Sequence, residues 1–351
     1  MSEVRRFVIL TEGHTEPHRA KTASCMIRYR ANEVSAILDS TQAGKTSRTL
    51  LGVGDVPIVA SLAEAQDANT LLIGIAPAGG KIPPAWRAVI SEAMARGMNV
   101  VSGLHEFISD DPEFAADAEK HGVTITDLRE NAEKDVARRV GLREDCLRIH
   151  TVGHDCSIGK MVTSKEIADG LVRNGHDAKF LATGQTGILL EGDGVPIDCV
   201  VADFVSGAIE KLVKKYQHHD ILVIEGQGSL VHPSYSGVTL GLLHGCLPHA
   251  LILCYEIGRD RVTGIEHLKI PPLVEIKRMN EMMAGVTHPC PVIGISMNGR
   301  KVSGDEIDAE RERVKSEFGL PACDVIRHGP DELADAVVRY HQGEQWQGQA
   351  S

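Results

Sequence analysis

The chain has 351 residues, enough for two domains, and its 42% hydrophobic and 24% charged residues are the balance of an ordinary soluble globular protein. A formal net charge of −11 argues against a nucleic-acid partner, because a phosphate backbone wants a basic face. There is no apolar run of about 18 residues, so no membrane span is expected, and Met1 to Arg6 lacks the apolar core of a signal peptide.

From residue 1 to about 145, strand-like and helix-like segments alternate. Phe7 to Leu10, Val34 to Leu38, Thr70 to Ile75, Val100 to Val101 and Val123 to Ile125 read as short strands. Pro84 to Arg96 and Pro112 to Lys120 read as helices, each opening near a proline that suits a first turn. This alternation predicts a parallel sheet with helices on its faces, and ligands in such sheets bind at the carboxyl ends of strands. Three loops fall there: Thr11 to His14, Asp39 to Lys45 and Ala76 to Lys81. Gly44-Lys45-Thr46 has the look of a phosphate loop, but Asp39 stands where the first glycine belongs, and a carboxylate there repels phosphate. Ser102-Gly103-Leu104-His105-Glu106 reads as a capped turn.

An apolar strand from Leu147 to Val152 then leads into Gly153-His154-Asp155-Cys156-Ser157-Ile158-Gly159-Lys160-Met161. Behind it Ile167, Leu171 and Val172 fall at helical spacing, and Asn174-Gly175 stops the helix. The Gly-Lys pair therefore sits where a strand turns into a helix, where backbone N–H groups and a helix dipole cradle phosphate. Gly153 stands one residue further from Gly159-Lys160 than the usual G-x-x-x-x-G-K allows. Met161 replaces the Ser or Thr that holds Mg²⁺ on a nucleotide. The loop is thus expected to hold phosphates without cleaving them, and no metal is expected.

Further on, Lys179 to Ala182 reads as a strand ending in Thr183-Gly184-Gln185-Thr186-Gly187. A helix is predicted from Asp203 to Tyr216, with Val205, Ile209 and Leu212 on one face. Ile221 to Ile224 is a buried strand ending in Glu225-Gly226-Gln227-Gly228-Ser229, and Glu225 is expected beside the loop of Lys160. Ala250 to Cys254, Val292 to Ser296 and Val325-Ile326 complete the predicted strands, with helices at Asp305 to Glu317 and Leu333 to Tyr340. Asn298 follows the strand after which purine contacts lie in this architecture. Arg259 is read either as a carboxylate binder or as an ion-pair partner of Glu256 and Asp260. The expected organisation is α/β, with two parallel-sheet domains: a Rossmann-like domain over 1–145, a P-loop NTPase-like domain over 146–341, and a flexible tail over 342–351. Eight scattered cysteines without a C-x-x-C pair fit a reduced cytoplasmic protein.

The Gly153 to Lys160 loop resembles that of the dethiobiotin synthetase group of P-loop proteins. Together with Ile75 to Gly80, Ser102 to His105, Ala182 to Gly187 and Glu225 to Pro233, it makes nearly the whole chain resemble one family. That family was long known as a domain of unknown function and includes D-glutamate N-acetyltransferase. The resemblance implies transfer of acetyl from acetyl-CoA to the amino group of D-glutamate, by a homo-oligomer with small-molecule partners only. On that reading the CoA phosphates lie on Gly153, His154, Cys156, Ser157, Ile158, Gly159, Lys160, Met161 and Asn298. Thr183, Gln185, Gln227, Gly228, Ser229 and Arg259 are expected to bind substrate. Amine attack on a thioester needs a base, and Glu225, His232, Asp155 and Asp203 are the candidates. Two other functions stay open on sequence grounds. One is an ATP-dependent ligase or kinase of the dethiobiotin-synthetase type, which Met161 disfavours. The other is a non-catalytic nucleotide or CoA sensor.

Overall fold

The computed structural model describes residues 5–75 and 80–343, so part of the loop Ala76 to Lys81 and the tail from residue 344 lie outside the described residues. Two compact units divide the chain. One ends at Glu130 and also takes in Ile188–Gly192; the other comprises Asn131–Gly187 and runs on from Asp193.

The first unit is built on six strands: β1 (Phe7–Leu10), β2 (Val34–Leu38), β3 (Ile58–Val59), β4 (Thr70–Ile73), β5 (Asn99–Ser102) and β6 (Ile125–Asp127). All pair in parallel, in the order β3-β2-β1-β4-β5-β6, as the alternation of elements predicts. Helices α1 (Lys21–Tyr29), α2 (Ser47–Leu51), α3 (Arg87–Ala95) and α4 (Pro112–His121) connect them. Every residue of β1 and β4 is buried, the pattern of parallel strands covered on both faces. The ends of α4 follow local chemistry. The Asp111 carboxylate caps the N–H of Glu113, Pro112 opens the first turn, and Gly122 ends the helix in the left-handed region.

The second unit repeats the plan. Strands β7 (Leu147–Gly153), β8 (Ala178–Leu181), β9 (Ile221–Ile224), β10 (Ala250–Glu256), β13 (Val292–Asn298) and β14 (Ala322–Cys323) form a parallel sheet in the order β14-β13-β10-β7-β9-β8. The helices are α5 (Lys160–Arg173), α6 (Gln185–Glu191), of which Ile188 onward belongs to the first unit, α7 (Val205–Tyr216), α8 (Ser236–Cys246), α9 (Leu273–Ala284), α10 (Gly304–Phe318) and α11 (Asp331–His341). Helices α7 and α8 pack tightly through glycine. A Cβ on Gly245 would lie 1.9 Å from Ile209 Cγ2, and one on Gly241 2.3 Å from Val205 Cγ1.

One element was not predicted and one expectation fails. The charged stretch after β10 is an antiparallel hairpin, β11 (Arg261–Val262) and β12 (Ile265–Lys269). Val325 and Ile326 are not a strand, because the Asp324 carboxylate accepts the N–H groups of Ile326 and Arg327 and bends the chain into a turn. The last sheet strand is instead the short β14.

Candidate active site

Strand β7 ends at Gly153 and α5 begins at Lys160, so the predicted loop sits mid-sheet with β10 on one side and β9 on the other. Ser157 (φ +58°) and Gly159 (φ +106°) take left-handed conformations that coil the backbone into a concave turn. Four successive carbonyls of this turn accept hydrogen bonds from side chains. Lys160 Nζ donates to Asp155 at 2.7 Å and Arg259 Nη1 to Cys156 at 2.8 Å. Arg300 Nη2 donates to Ser157 at 3.3 Å and Asn298 Nδ2 to Ile158 at 3.0 Å. A turn with positive φ values that runs directly into a helix N-terminus is the setting in which successive backbone N–H groups can hold an anion, and here it supplies a candidate anion cradle.

The β10 side of the loop is a network of charges. Asp155 is fully buried. Its Oδ2 accepts from Arg259 Nη1 at 2.9 Å, Thr263 N–H at 2.9 Å and Thr263 Oγ1 at 2.7 Å, while Oδ1 accepts from Cys156 N–H at 2.7 Å. Burial alone would push its pKa up, but Thr263, the Cys156 N–H and Arg259 outweigh it and hold the carboxylate below its usual range. Glu256, at the end of β10, is equally buried and pairs with Arg259 at 2.7 Å, Lys301 at 2.6 Å and Arg300. Here too burial opposes ionisation, and Lys301, Arg259 and Arg300 win, keeping its pKa low. His154 accepts the Glu256 N–H through Nε2 at 3.0 Å, and burial lowers its pKa to about 4, so it is a neutral strut. Thr263, Arg300 and Lys301 were missed in the sequence, and Glu256 was read there only as an ion-pair partner of Arg259, although it ends an apolar strand just as Glu225 does.

The β9 side has the opposite chemistry. Glu225 is 3% exposed, and Oε2 accepts the N–H groups of Thr183 at 2.8 Å and Gly184 at 3.1 Å. Gln227 Nε2 donates to Oε1 at 3.0 Å. Burial lifts the Glu225 pKa to about 8, a shift that the Thr183 and Gly184 N–H groups only moderate. Gly226 crosses the foot of the loop. Its N–H donates to Thr151 Oγ1 at 2.9 Å, and a Cβ there would lie 1.8 Å from the Thr151 carbonyl oxygen and 3.1 Å from Lys160 Cδ. Gln185 opens α6 directly after the pair that holds Glu225, and its Oε1 is buried without a hydrogen-bond partner among the described residues.

The remaining predicted residues divide clearly. Ser229 Oγ donates to the Gly153 carbonyl at 2.9 Å, a bond that braces the loop. Gly228 is held at φ +65° against Tyr235, and Gln227 O accepts from Thr239 Oγ1. Arg259, 7% exposed, serves the two carboxylates and the Cys156 carbonyl. Met161 is the second residue of α5 and is half-buried. His232 Nδ1 accepts the Ser234 N–H at 3.2 Å, and its Nε2 lies 3.1 Å from the Thr263 carbonyl, which can only accept. Its ring is therefore a neutral Nε2–H tautomer with its basic nitrogen occupied. Asp155, Cys156 and His232 present donor atoms within 4.8 Å of one another. That lone pair is already used and Arg259 already neutralises Asp155, so the trio is poorly suited to a cation. Asp203 is exposed in the turn Ala202–Phe204 and takes no part in the Glu225 network.

In the first unit, the Gly44-Lys45-Thr46 turn is not a phosphate cradle. Lys45 Nζ donates to Gln42 Oε1 at 2.7 Å, and the helix behind has five residues. Asp39 follows β2, where dinucleotide folds place the acid that binds ribose. Here it is fully buried and accepts from the Thr15 hydroxyl and from the Thr41 N–H and hydroxyl. Burial opposes its ionisation, but these donors keep its pKa low.

Residues 131–334 match the family model of a P-loop domain of unknown function, DUF1611, and residues 40–131 match its Rossmann-like companion. A D-glutamate N-acetyltransferase of Tritonibacter scottomollicae is 42% identical over 281 residues, 79% of this chain and 83% of the relative. A D-glutamate N-acetyltransferase of Pseudoalteromonas sp is 40% identical over 267 residues, 76% of this chain and 80% of the relative. The crystal structure of a DUF1611 family protein from Anabaena variabilis has a TM-score of 0.90 at 39% identity, covering 95% of this chain and 99% of that one. Matched in both of its parts, and over most of its length by two curated relatives, the chain belongs to the DUF1611 family, to which the resemblance of its several motifs taken together pointed.

Proposed function

We propose that this enzyme transfers acetyl from acetyl-CoA to the amino group of D-glutamate, with the P-loop holding the CoA phosphates and Glu225 handling the proton. N-acetylation of D-glutamate is the activity named for both curated relatives, and the chain matches them at 42% and 40% identity. The cradle supports the donor assignment. A pyrophosphate is gripped by N–H groups and Lys160, and a loop that only binds needs no Mg²⁺-holding hydroxyl at position 161. Eight scattered cysteines without a C-x-x-C pair, six of them buried, support work in a reducing cytoplasm. No helix among the described residues is long and apolar enough to cross a membrane.

The observation that carries the chemistry is Glu225, a buried carboxyl poised at about 8 one strand from the loop. As carboxylate it takes a proton from the substrate ammonium, a transfer most efficient when the base titrates near the working pH. The freed amine attacks the thioester carbonyl and the C–N bond forms; as the C–S bond breaks, the CoA thiolate takes the proton held by Glu225 and the attacking nitrogen gives up its second proton to solvent, so that ammonium and thioester yield amide, thiol and one H⁺. Gln185 Oε1, buried and unmatched, suits a second acceptor for the substrate ammonium. Incubation with acetyl-CoA and D-glutamate should release free thiol and N-acetyl-D-glutamate in equal amounts. Absence of both products, or turnover of ATP instead, overturns the reading.

A further inference from the structure

Four cations gather at the loop, Lys160, Arg259, Arg300 and Lys301, against two carboxylates, Asp155 and Glu256. Arg259 is buried and bridges both carboxylates, so it is part of the frame. Arg300 and Lys301 differ. Both lean on Glu256, which already serves Arg259, and both reach solvent, with 27% and 59% of their side chains exposed. One carboxylate answers three cations there, leaving an excess of positive charge on the open rim. Its position is fixed by two contacts: Arg300 Nη2 lies 3.3 Å from the Ser157 carbonyl, and Asn298 just before it holds Ile158. A pyrophosphate already has the N–H groups and Lys160, so it leaves this excess unused.

We propose that Arg300 and Lys301 form a second phosphate subsite, which takes the 3′-phosphomonoester on the ribose of coenzyme A and makes the enzyme select CoA over ligands lacking that group. This inference rests on the CoA reading above. A phosphomonoester carries about −1.5 to −2 charge at neutral pH and accepts through three oxygens, a demand that a guanidinium beside an ammonium meets. The ribose is the unit next to the diphosphate, so its substituents fall at the rim of the cradle. Glu256 holds the two side chains in place until the ligand supplies its own charge.

The test titrates CoA and 3′-dephospho-CoA separately into the wild-type chain, Arg300→Ala, Lys301→Ala and the double variant. The wild type should bind CoA at least about tenfold more tightly than 3′-dephospho-CoA, the factor that 1.4 kcal/mol of charge-assisted bonding supplies. Each single variant should lose affinity for CoA and keep it for 3′-dephospho-CoA, and in the double variant the ratio should fall to about one. Lys301 is exposed, so its variant is the safeguard should Arg300→Ala disturb the Ser157 turn. Equal wild-type affinity for the two ligands overturns the proposal, as does an equal loss for both in Lys301→Ala. Binding of neither ligand by the wild type overturns the CoA reading itself, and this subsite with it.

Discussion

Replacing Glu225 by Gln should change both the pH dependence of stability and the rate. Burial raises the Glu225 pKa from 4.5 to about 8, so the folded chain holds this proton more tightly than the unfolded one. The stabilisation that results is complete below about pH 4.5 and is lost as pH rises through about 8. At 1.36 kcal/mol per pH unit, integration between the two values gives a loss of about 4 kcal/mol between roughly pH 5 and pH 9. Gln is nearly the same shape. Its oxygen accepts the Thr183 and Gly184 N–H groups as Oε2 does, and Gln227 can flip its amide to meet the new NH₂. Glu225→Gln should therefore fold and lack this slope. Urea unfolding at several pH values should show the wild type falling relative to the variant by about that amount. Wild-type activity should rise through about pH 8, and the variant should lose about 10²- to 10⁴-fold in kcat. Parallel stability curves refute the burial argument, and an undiminished kcat refutes the role as base.

Three other outcomes test the site. Lys160→Ala removes a buried ammonium from the cradle and should lower CoA affinity by at least about tenfold in a titration, with circular dichroism unchanged. His232→Gln should keep kcat within about tenfold, because the basic nitrogen of the ring already accepts the Ser234 N–H; a fall by the full general-base factor of about 10²–10⁴ would make His232 the base. Gly226→Ala forces a methyl onto the Thr151 carbonyl oxygen, 1.8 Å away, and should cost about 1–3 kcal/mol or more in unfolding measurements.

The legible features were the local ones. Strand β9 and the stretch of β10 up to Tyr255 are unbroken apolar runs, and although Arg148, His150 and Thr151 interrupt β7, the Gly159-Lys160 step between strand and helix announces itself in one stretch. Helix α8 was not legible, since Gly237, Gly241 and Gly245 lower its helix propensity. Two of them serve instead as the contact surface for Val205 and Ile209 of α7, which no local pattern encodes. The charged frame was equally hidden. Asp155 meets Thr263 and Arg259 more than a hundred positions later only because β7 and β10 lie side by side. The exposed hairpin β12 carries three charged or histidine side chains in five residues, and so gave no apolar alternation to mark it as a strand.

Two glutamates end the strands on either side of the loop, and their environments set them to different tasks. Glu225 receives only neutral N–H donors, so burial dominates and its proton is held up to about pH 8. Glu256 receives two guanidinium groups and an ammonium, so the same burial is overcome and it stays charged. A carboxylate locked among cations cannot readily take up a proton, but it can hold the two guanidinium groups against the loop carbonyls. A carboxyl ringed by neutral dipoles is a weak anchor, yet its proton exchanges in the range where an amine must be deprotonated. Pairs of acids whose environments drive their pKa values apart are how one fold separates binding from proton transfer. On the proposed reading the partition follows the sheet: the β10 side binds and the β9 side handles the proton, with the phosphate loop between them.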